Sequence, residues 1–289
     1  MSGFQALKRN RQSQLASLTQ ELEKTQQTTN YEDNRIWKVT RDKSGTGAAI
    51  IRFLPPSEDE VTPWVRIFSH GFQGQGGWYI ENSLTTVNEK DPVSEFNTSL
   101  WNNGTESGKD QARKQKRRLN YSSNIYVVDD PANPDNNGKV FLFKYGKKIH
   151  EKITDAMSPE FADEKAVNPF DLWEGCNFRL KIRMLDGWPN YDRSEFDKPT
   201  ALFEDDAKLE EVWNSQYKLQ ELIAPDQFKS YDELKSKMDR ILGLNGSSAR
   251  IIDDEEDTPF YPQETGSETA EASEDTLSYF DSLTKQSQD

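Results

Sequence analysis

The sequence predicts an α+β fold that is mainly β: a small barrel or sandwich followed by helices, between polar ends. Three observations carry this. Short apolar runs between residues 48 and 184 are each bounded by Gly, Pro, Asn or Asp. From Leu202 onward the apolar spacing lengthens to the helical 3–4. The hydrophobic fraction, 33%, is low because both ends of the 289-residue chain are polar. This divides the chain into an arm over residues 1–30, a folded body over 31–252 and a tail over 253–289.

Taken in order, the arm is rich in Gln, Ser and Thr, with Leu7, Leu15, Leu18 and Leu22 near helical spacing. A helix so short and polar is not stable alone, so the arm orders on a partner or docks on its own core. Ala48–Leu54 is a strand stopped by Pro55-Pro56, and Trp64–His70 alternates up to Gly71. Trp78–Glu81 follows the cluster Gly74, Gly76, Gly77. The polar stretch 85–115 reads as a long loop or irregular subdomain. Asn124–Val128 ends before Asp130-Pro131, and Val140–Tyr145 follows the turn 135–138. In Phe178–Met184 the apolar residues Phe178, Leu180, Ile182 and Met184 share one face, and Arg179, Lys181 and Arg183 the other. Helices are expected over Leu202–Ile223, and over Ser230–Leu242 behind a capping box from Ser230 to Glu233. Beyond Gly246 the chain turns to acids, Ser and Thr, a composition that predicts disorder.

Charge is split along the chain. Residues 253–289 hold 12 acids and one Lys, a net of −11, which leaves −3 of the total −14 for everything before them. Within the tail, Leu277, Tyr279, Phe280 and Leu283 stand among acids, a pattern typical of docking peptides. The single cysteine, Cys176, excludes an internal disulfide and any multi-cysteine metal site, and reads as a small buried hydrophobe. His70 and His150 stand outside any zinc-protease pattern, and no phosphate-binding or dinucleotide glycine motif occurs. Catalysis thus has no positive support. No secretory signal or membrane span is predicted, which gives a soluble intracellular protein.

The body carries three basic segments interleaved with aromatics. Lys109–Arg118 nets +5, including Lys116, Arg117 and Arg118, and Tyr121 follows. Lys139, Lys144, Lys147, Lys148 and Lys152 surround Phe141, Phe143 and Tyr145. Arg179, Lys181 and Arg183 lead to Trp188 and Tyr191 in a Gly/Pro loop. Single strands of nucleic acid need cations along the backbone and flat rings for unpaired bases, and this composition supplies both. An alternative is an interaction scaffold whose acidic tail recruits proteins, with nucleic-acid binding incidental.

These residues lie in stretches that resemble a known family. AAIIRFLP (48–55), HGF and WYIE (70–72, 78–81), NIYVVDDPANPDNNGKVF (124–141), YGKKI (145–149), WEGCNF (173–178) and NYDRSEF (190–196) occur in order. They resemble the gene 32 single-stranded DNA-binding proteins of T4-like bacteriophages. The resemblance implies an OB-fold with an extra subdomain that coats single-stranded DNA during viral replication, recombination and repair. It would act in the cytoplasm of the infected host. The arm would bind a neighbouring copy, here through Lys8, Arg9 and Arg11. The tail would recruit replication and recombination proteins. In the family's cleft the basic positions match Lys116, Arg117 and Arg118, and the aromatic positions match Tyr121, Phe143, Trp188 and Tyr191. A further stacking position falls on or near Trp101.

The family pattern also implies a structural zinc held by one His and three Cys. Here His70 keeps its place, but Ser83 and Asp91-Pro92-Val93-Ser94 stand where the cysteines would be, and Cys176 matches no ligand position. The sequence therefore predicts no zinc, and residues 71–105 held instead by packing of Trp78, Phe96 and Trp101.

Overall fold

The computed structural model describes residues 33–161 and 163–244. The arm with Lys8, Arg9 and Arg11, and the tail with Leu277, Tyr279, Phe280 and Leu283, lie outside the described residues. Within them the fold is α+β, with nine strands and five α-helices. The strands are β1 (Ile36–Trp37), β2 (Gly47–Phe53), β3 (Val65–Gly74), β4 (Gly77–Asn82), β5 (Arg118–Asp129), β6 (Val140–Tyr145), β7 (Phe178–Leu185), β8 (Trp188–Asn190) and β9 (Glu195–Phe196).

The long strand β5 organises the sheet. Its first half pairs antiparallel with β3, Arg66 opposite Tyr121 and Ser69 opposite Arg118. Its second half pairs with β2, Phe53 opposite Ile125. β6 runs along its other edge, Tyr121 opposite Tyr145. A strand that serves two partners in succession on one edge has to bend, and the register of β2 shifts at Ile50/Ile51 to follow it. The sheet continues from β2 to β7, which pairs with β8 and β9.

Aromatic rings fill the concave side. Phe53 is fully buried, and its ring centroid lies 5.6 Å from Tyr145, 5.6 Å from Phe170 and 5.7 Å from Phe178, with Phe143 and Phe196 each at 6.3 Å. Much of the aromatic excess in the composition is therefore core. β6 is covered on both sides, because Leu142 packs with Val65, Ile67 and Leu219 on the opposite face. Cys176 is buried, as its isolation in the sequence predicts.

The β3–β4 hairpin carries a second core. Phe72, Tyr79, Leu84 and Val93 pack with Leu234, Met238 and Ile241 of the last described helix, α5 (Tyr231–Leu242). α5 opens with the predicted capping box. Glu81 on β4 accepts from both Lys229 and Lys237 at 2.7 Å, and Tyr231 donates to Glu95 at 2.6 Å. Gly76 donates to the Ile241 carbonyl at 2.9 Å, and a Cβ there would lie 2.6 Å from the Arg240 carbonyl oxygen. Only glycine permits this approach. Gly76→Ala should cost about 1–3 kcal/mol, seen as a lower melting temperature and faster amide exchange over 231–242. An unchanged melt would refute the close packing.

Several elements differ from the sequence reading. The stretch 85–115 holds two helices, α1 (Pro92–Asn102) and α2 (Glu106–Gln115), in place of a loop. Their caps define them: the Asp91 side chain accepts from Ser94 N, and the Thr105 side chain accepts from Gly108 N. A further helix, α3 (Lys147–Met157), buries only Ile149 and Ile153, too sparse a stripe to stand out. Over Leu202–Ile223 the helix, α4, covers only Asp206–Asn214 before a 3₁₀ turn at Leu219–Ile223. Met184 does not join its apolar neighbours and is 38% exposed. Trp78 is likewise 37% exposed, and Trp101 sits in a small cluster with Leu100 and Ala112. Of the three rings expected to hold residues 71–105, only Phe96 packs on the second core.

Candidate nucleic-acid interface

Residues opposite one another in an antiparallel pair point to the same side. Arg66, Tyr121 and Tyr145 therefore share the concave face, as do Phe68 and Leu119. At Tyr121 the face is closed core, with the ring only 7% exposed. Toward Trp64, Arg66 and Phe68 it opens, since Arg66 is exposed and both rings are half-buried. The alternate residues Val65 and Ile67 anchor this row from behind.

Cations converge on the opening. Arg117, between α2 and β5, places its guanidinium 4.2 Å from the centroid of the Phe68 ring. Arg118 donates to the Gly71 carbonyl at 3.2 Å. α3 brings Lys147 and Lys148 to the surface, Lys147 within 3.7 Å of Glu151. From the same helix, His150 stacks on Tyr121 with centroids 3.7 Å apart and planes 11° apart, while Trp64 meets its edge at 5.4 Å. Burial pushes the His150 ring below its ordinary titration range, and Arg66 pushes it further. Burial raises the Tyr121 phenol, with Arg66 and Lys147 opposing. Arg66 is the cross-strand neighbour of Tyr121, close to this stack.

The structure sorts the residues selected from sequence. Arg117 and Tyr121 share the face of Phe68, and Lys147 lies near Tyr121. Lys116 is next to them in sequence and Lys148 is exposed on α3, while Arg118, opposite Ser69, points to the other side of β5 toward Gly71. Trp188 and Tyr191 lie on the segment beside α3, where Lys152 donates to the Asp192 carbonyl at 3.1 Å, and Tyr191 packs partly against the core. Trp101 stands on α1 with Arg113 over its ring at 5.5 Å. Phe143 is a core ring, 6% exposed and in edge contact with Trp37 at 5.5 Å, so it offers no surface for stacking here. Lys144 points to the opposite side of β6 from Tyr145, and burial and Lys38 push its ammonium down. Lys139 sits at the far end of the β5–β6 pair, roughly 20 Å along the strands from Tyr121.

Arg179, Lys181 and Arg183 line the side of β7 away from the core. Arg179 bonds Asp197 at 2.6 Å, Lys181 bonds Glu195 at 2.6 Å, and Arg183 bonds Asp192. The structure does not bring them to the Tyr121 face. Reasoning from sequence missed Trp64, Arg66, Phe68 and His150. The signal was there for the first three, as an aromatic–cation–aromatic row at alternate positions of a strand.

Next to the opening lies a buried polar pair. His70 and Asp91 are each 1% exposed. The ring donates from Nδ1 to the Gln115 carbonyl at 2.9 Å, and its Nε2 meets Asp91 Oδ1 at 3.1 Å. Burial alone would raise the Asp91 carboxyl, but the hydrogen bond and charge of His70, with bonds from Ser94 and Ser83, hold it at about 2. Among the described residues no group of three or more His, Cys, Asp or Glu is placed to hold a metal ion. Nor is any described helix long and apolar enough to cross a membrane.

The family model described as gp32 DNA binding protein like matches residues 45–242. The chain is 36% identical over 230 residues to the single-stranded DNA-binding protein of Enterobacteria phage T2, covering 75% of this chain and 74% of that one. The same figures hold for the single-stranded DNA-binding protein of Enterobacteria phage T4. Over 67 residues, 22% of this chain and 59% of the other, it is 43% identical to the single-stranded DNA-binding protein of Escherichia phage SV14. The matched span begins just before β2 and ends with α5, enclosing the whole of the basic and aromatic opening, and on this evidence the chain belongs to the family of gp32-like DNA-binding proteins.

Proposed function

We propose that this protein coats single-stranded DNA without strong sequence preference during viral replication, recombination and repair in the host cytoplasm. The observation that carries the reading is the opening itself: Arg66 and Arg117 flank the half-buried rings of Trp64 and Phe68 on one face, with Lys147 near Tyr121 beside them. Cations track phosphates, and flat rings take unpaired bases at about 1–3 kcal/mol each. The bent β5 and the curled sheet around an aromatic core support an OB-fold. On this reading the protein has no catalytic step of its own. The arm with Lys8, Arg9 and Arg11 makes binding cooperative by gripping the next copy. The tail recruits replication and recombination proteins through Leu277, Tyr279, Phe280 and Leu283.

Titration with poly(dT) and with duplex DNA at two salt concentrations tests the central point. Tight binding to poly(dT) should weaken steeply with salt through counterion release. Preference for duplex, or insensitivity to salt, would refute the reading. Removal of residues 253–289, which carry −11, should strengthen binding at low salt, because the tail competes with DNA for the same cations. Unchanged affinity and salt dependence would exclude that competition.

A further inference from the structure

We propose that the His70–Asp91 pair positions the basic run Lys116–Arg118 for DNA, and that it does so without a metal. The proposal rests on the reading of that run as part of a DNA interface. Two adjacent residues of β3 hold the run at both ends. His70 bonds the carbonyl of Gln115, the residue before Lys116. The Gly71 carbonyl receives the Arg118 guanidinium. Asn97 of α1 is a second donor to the Gln115 carbonyl, at 3.0 Å.

Asp91 fixes the other side of the ring. It caps α1 through Ser94 N at 2.9 Å and accepts from Leu84 N at 3.2 Å. One imidazole thus joins β3, the turn at 84–87, the start of α1 and the end of α2. Where the chain leaves α2, Lys116 is extended, with φ −54° and ψ 138°, so the direction of the run is set at the carbonyl that His70 holds.

The donor set does not fit a structural zinc. A closed tetrahedral site wants four thiolate or imidazole ligands. Here Ser83, Asp91 and Ser94 stand where the family pattern implies cysteines, two hydroxyls and a carboxylate in place of thiolates. The other buried oxygens nearby belong to the Ser94 hydroxyl and to the amides of Asn97 and Gln115. Both nitrogens of His70 are already committed, and Cys176 lies beside Arg52. Hydrogen bonds hold together what thiolates and a metal would hold elsewhere.

Two substitutions separate positioning from general stability. Asparagine places an N–H near the site of His Nδ1, and glutamine places one near Nε2. His70→Asn should keep the bond to Gln115 and a near-normal salt slope for poly(dT) binding. His70→Gln should stay folded by circular dichroism yet lower that slope by up to about 2, the share of three phosphate contacts. Equal slopes in the two folded variants would overturn the positioning role. Should His70→Gln fail to fold, Asn97→Ala removes the second donor to the same carbonyl. A lowered slope supports the proposal, and an unchanged one overturns it. For the metal-free claim, dialysis against EDTA should leave melting temperature and affinity unchanged, whereas stoichiometric zinc by mass spectrometry would overturn it. Failure of the unaltered protein to bind poly(dT) would instead sink the proposed function.

Discussion

A protein with Lys116→Glu, Arg117→Glu and Arg118→Glu together should lose at least about a hundredfold in affinity for poly(dT) at 0.1 M salt. Each phosphate contact on a single strand contributes about 0.7 to the slope of log affinity against log salt, so three contacts amount to about two decades between 0.1 and 1 M. Reversal adds repulsion to that loss. The slope itself should fall by about 2, a measure that does not depend on protein concentration. Arg117 adds a separate component, because its guanidinium covers one face of Phe68 and its replacement strips a ring that bases would stack on. The informative control is reversal of Arg179, Lys181 and Arg183. These side chains are already paired to Asp197, Glu195 and Asp192 on the other side of the sheet, so the control should change affinity far less. Fluorescence anisotropy at two salt concentrations reads both variants. Comparable losses in the two would mean that the DNA path has been drawn on the wrong face.

Phe53→Ala should be the most damaging core substitution. The ring is fully buried and touches Phe143, Tyr145, Phe170, Phe178 and Phe196, so truncation leaves a cavity between β2, β6 and β7. Phe→Ala in such a site costs about 3–5 kcal/mol, a large share of an ordinary domain's total stability. Melting should fall by roughly 6–20 °C for a body of this size. At a temperature where the variant is still folded, the salt slope of DNA binding should be unchanged, because no cation has moved. Phe143→Leu extends the test to a ring that the sequence assigns to stacking. Its binding should hold while its melt drops, and lost binding in a fully folded Phe143→Leu would return that ring to the interface.

The contrast between those rings shows what was legible in the chain and what was not. In β7 the alternation of Phe178, Leu180 and Ile182 with cations names both faces, because one face is wet. In β6 the same alternation misleads, since β3 and the turn at Leu219 cover Leu142 while rings of β1 and β2 cover Phe143, and both are buried. Period two says that faces differ, not which is dry. The partners of the β7 cations come from 9 to 18 residues downstream, so their neutralisation depends on a pairing of β7 with β9 that the sequence does not announce. α5 was legible to the residue because its cap is local. α1 and α2 were not, since their buried side chains are Pro, Val, Ser, Asn, Gly, Ala and Gln rather than an apolar stripe. At the opening, Arg117 and Tyr121, with Lys116 and Arg118 beside them in sequence, followed from composition and resemblance. Trp64, Arg66 and Phe68 required the register of β3 against β5.

The attachment of α5 bears on how traction would travel through the molecule. Lys237, Lys229 just before the helix's cap, and a close glycine contact fasten this helix to the β3–β4 hairpin. Any protein that tugs on the chain beyond Leu244 therefore loads the hairpin before it strains the rest of the sheet. That hairpin carries His70 and Gly71 at its root, the two residues that grip the basic run. A pull at the C-terminal side and the grip on a nucleic acid are thus in mechanical series. Optical-tweezer unfolding from the C-terminus should release α5 first, as a separate low-force step.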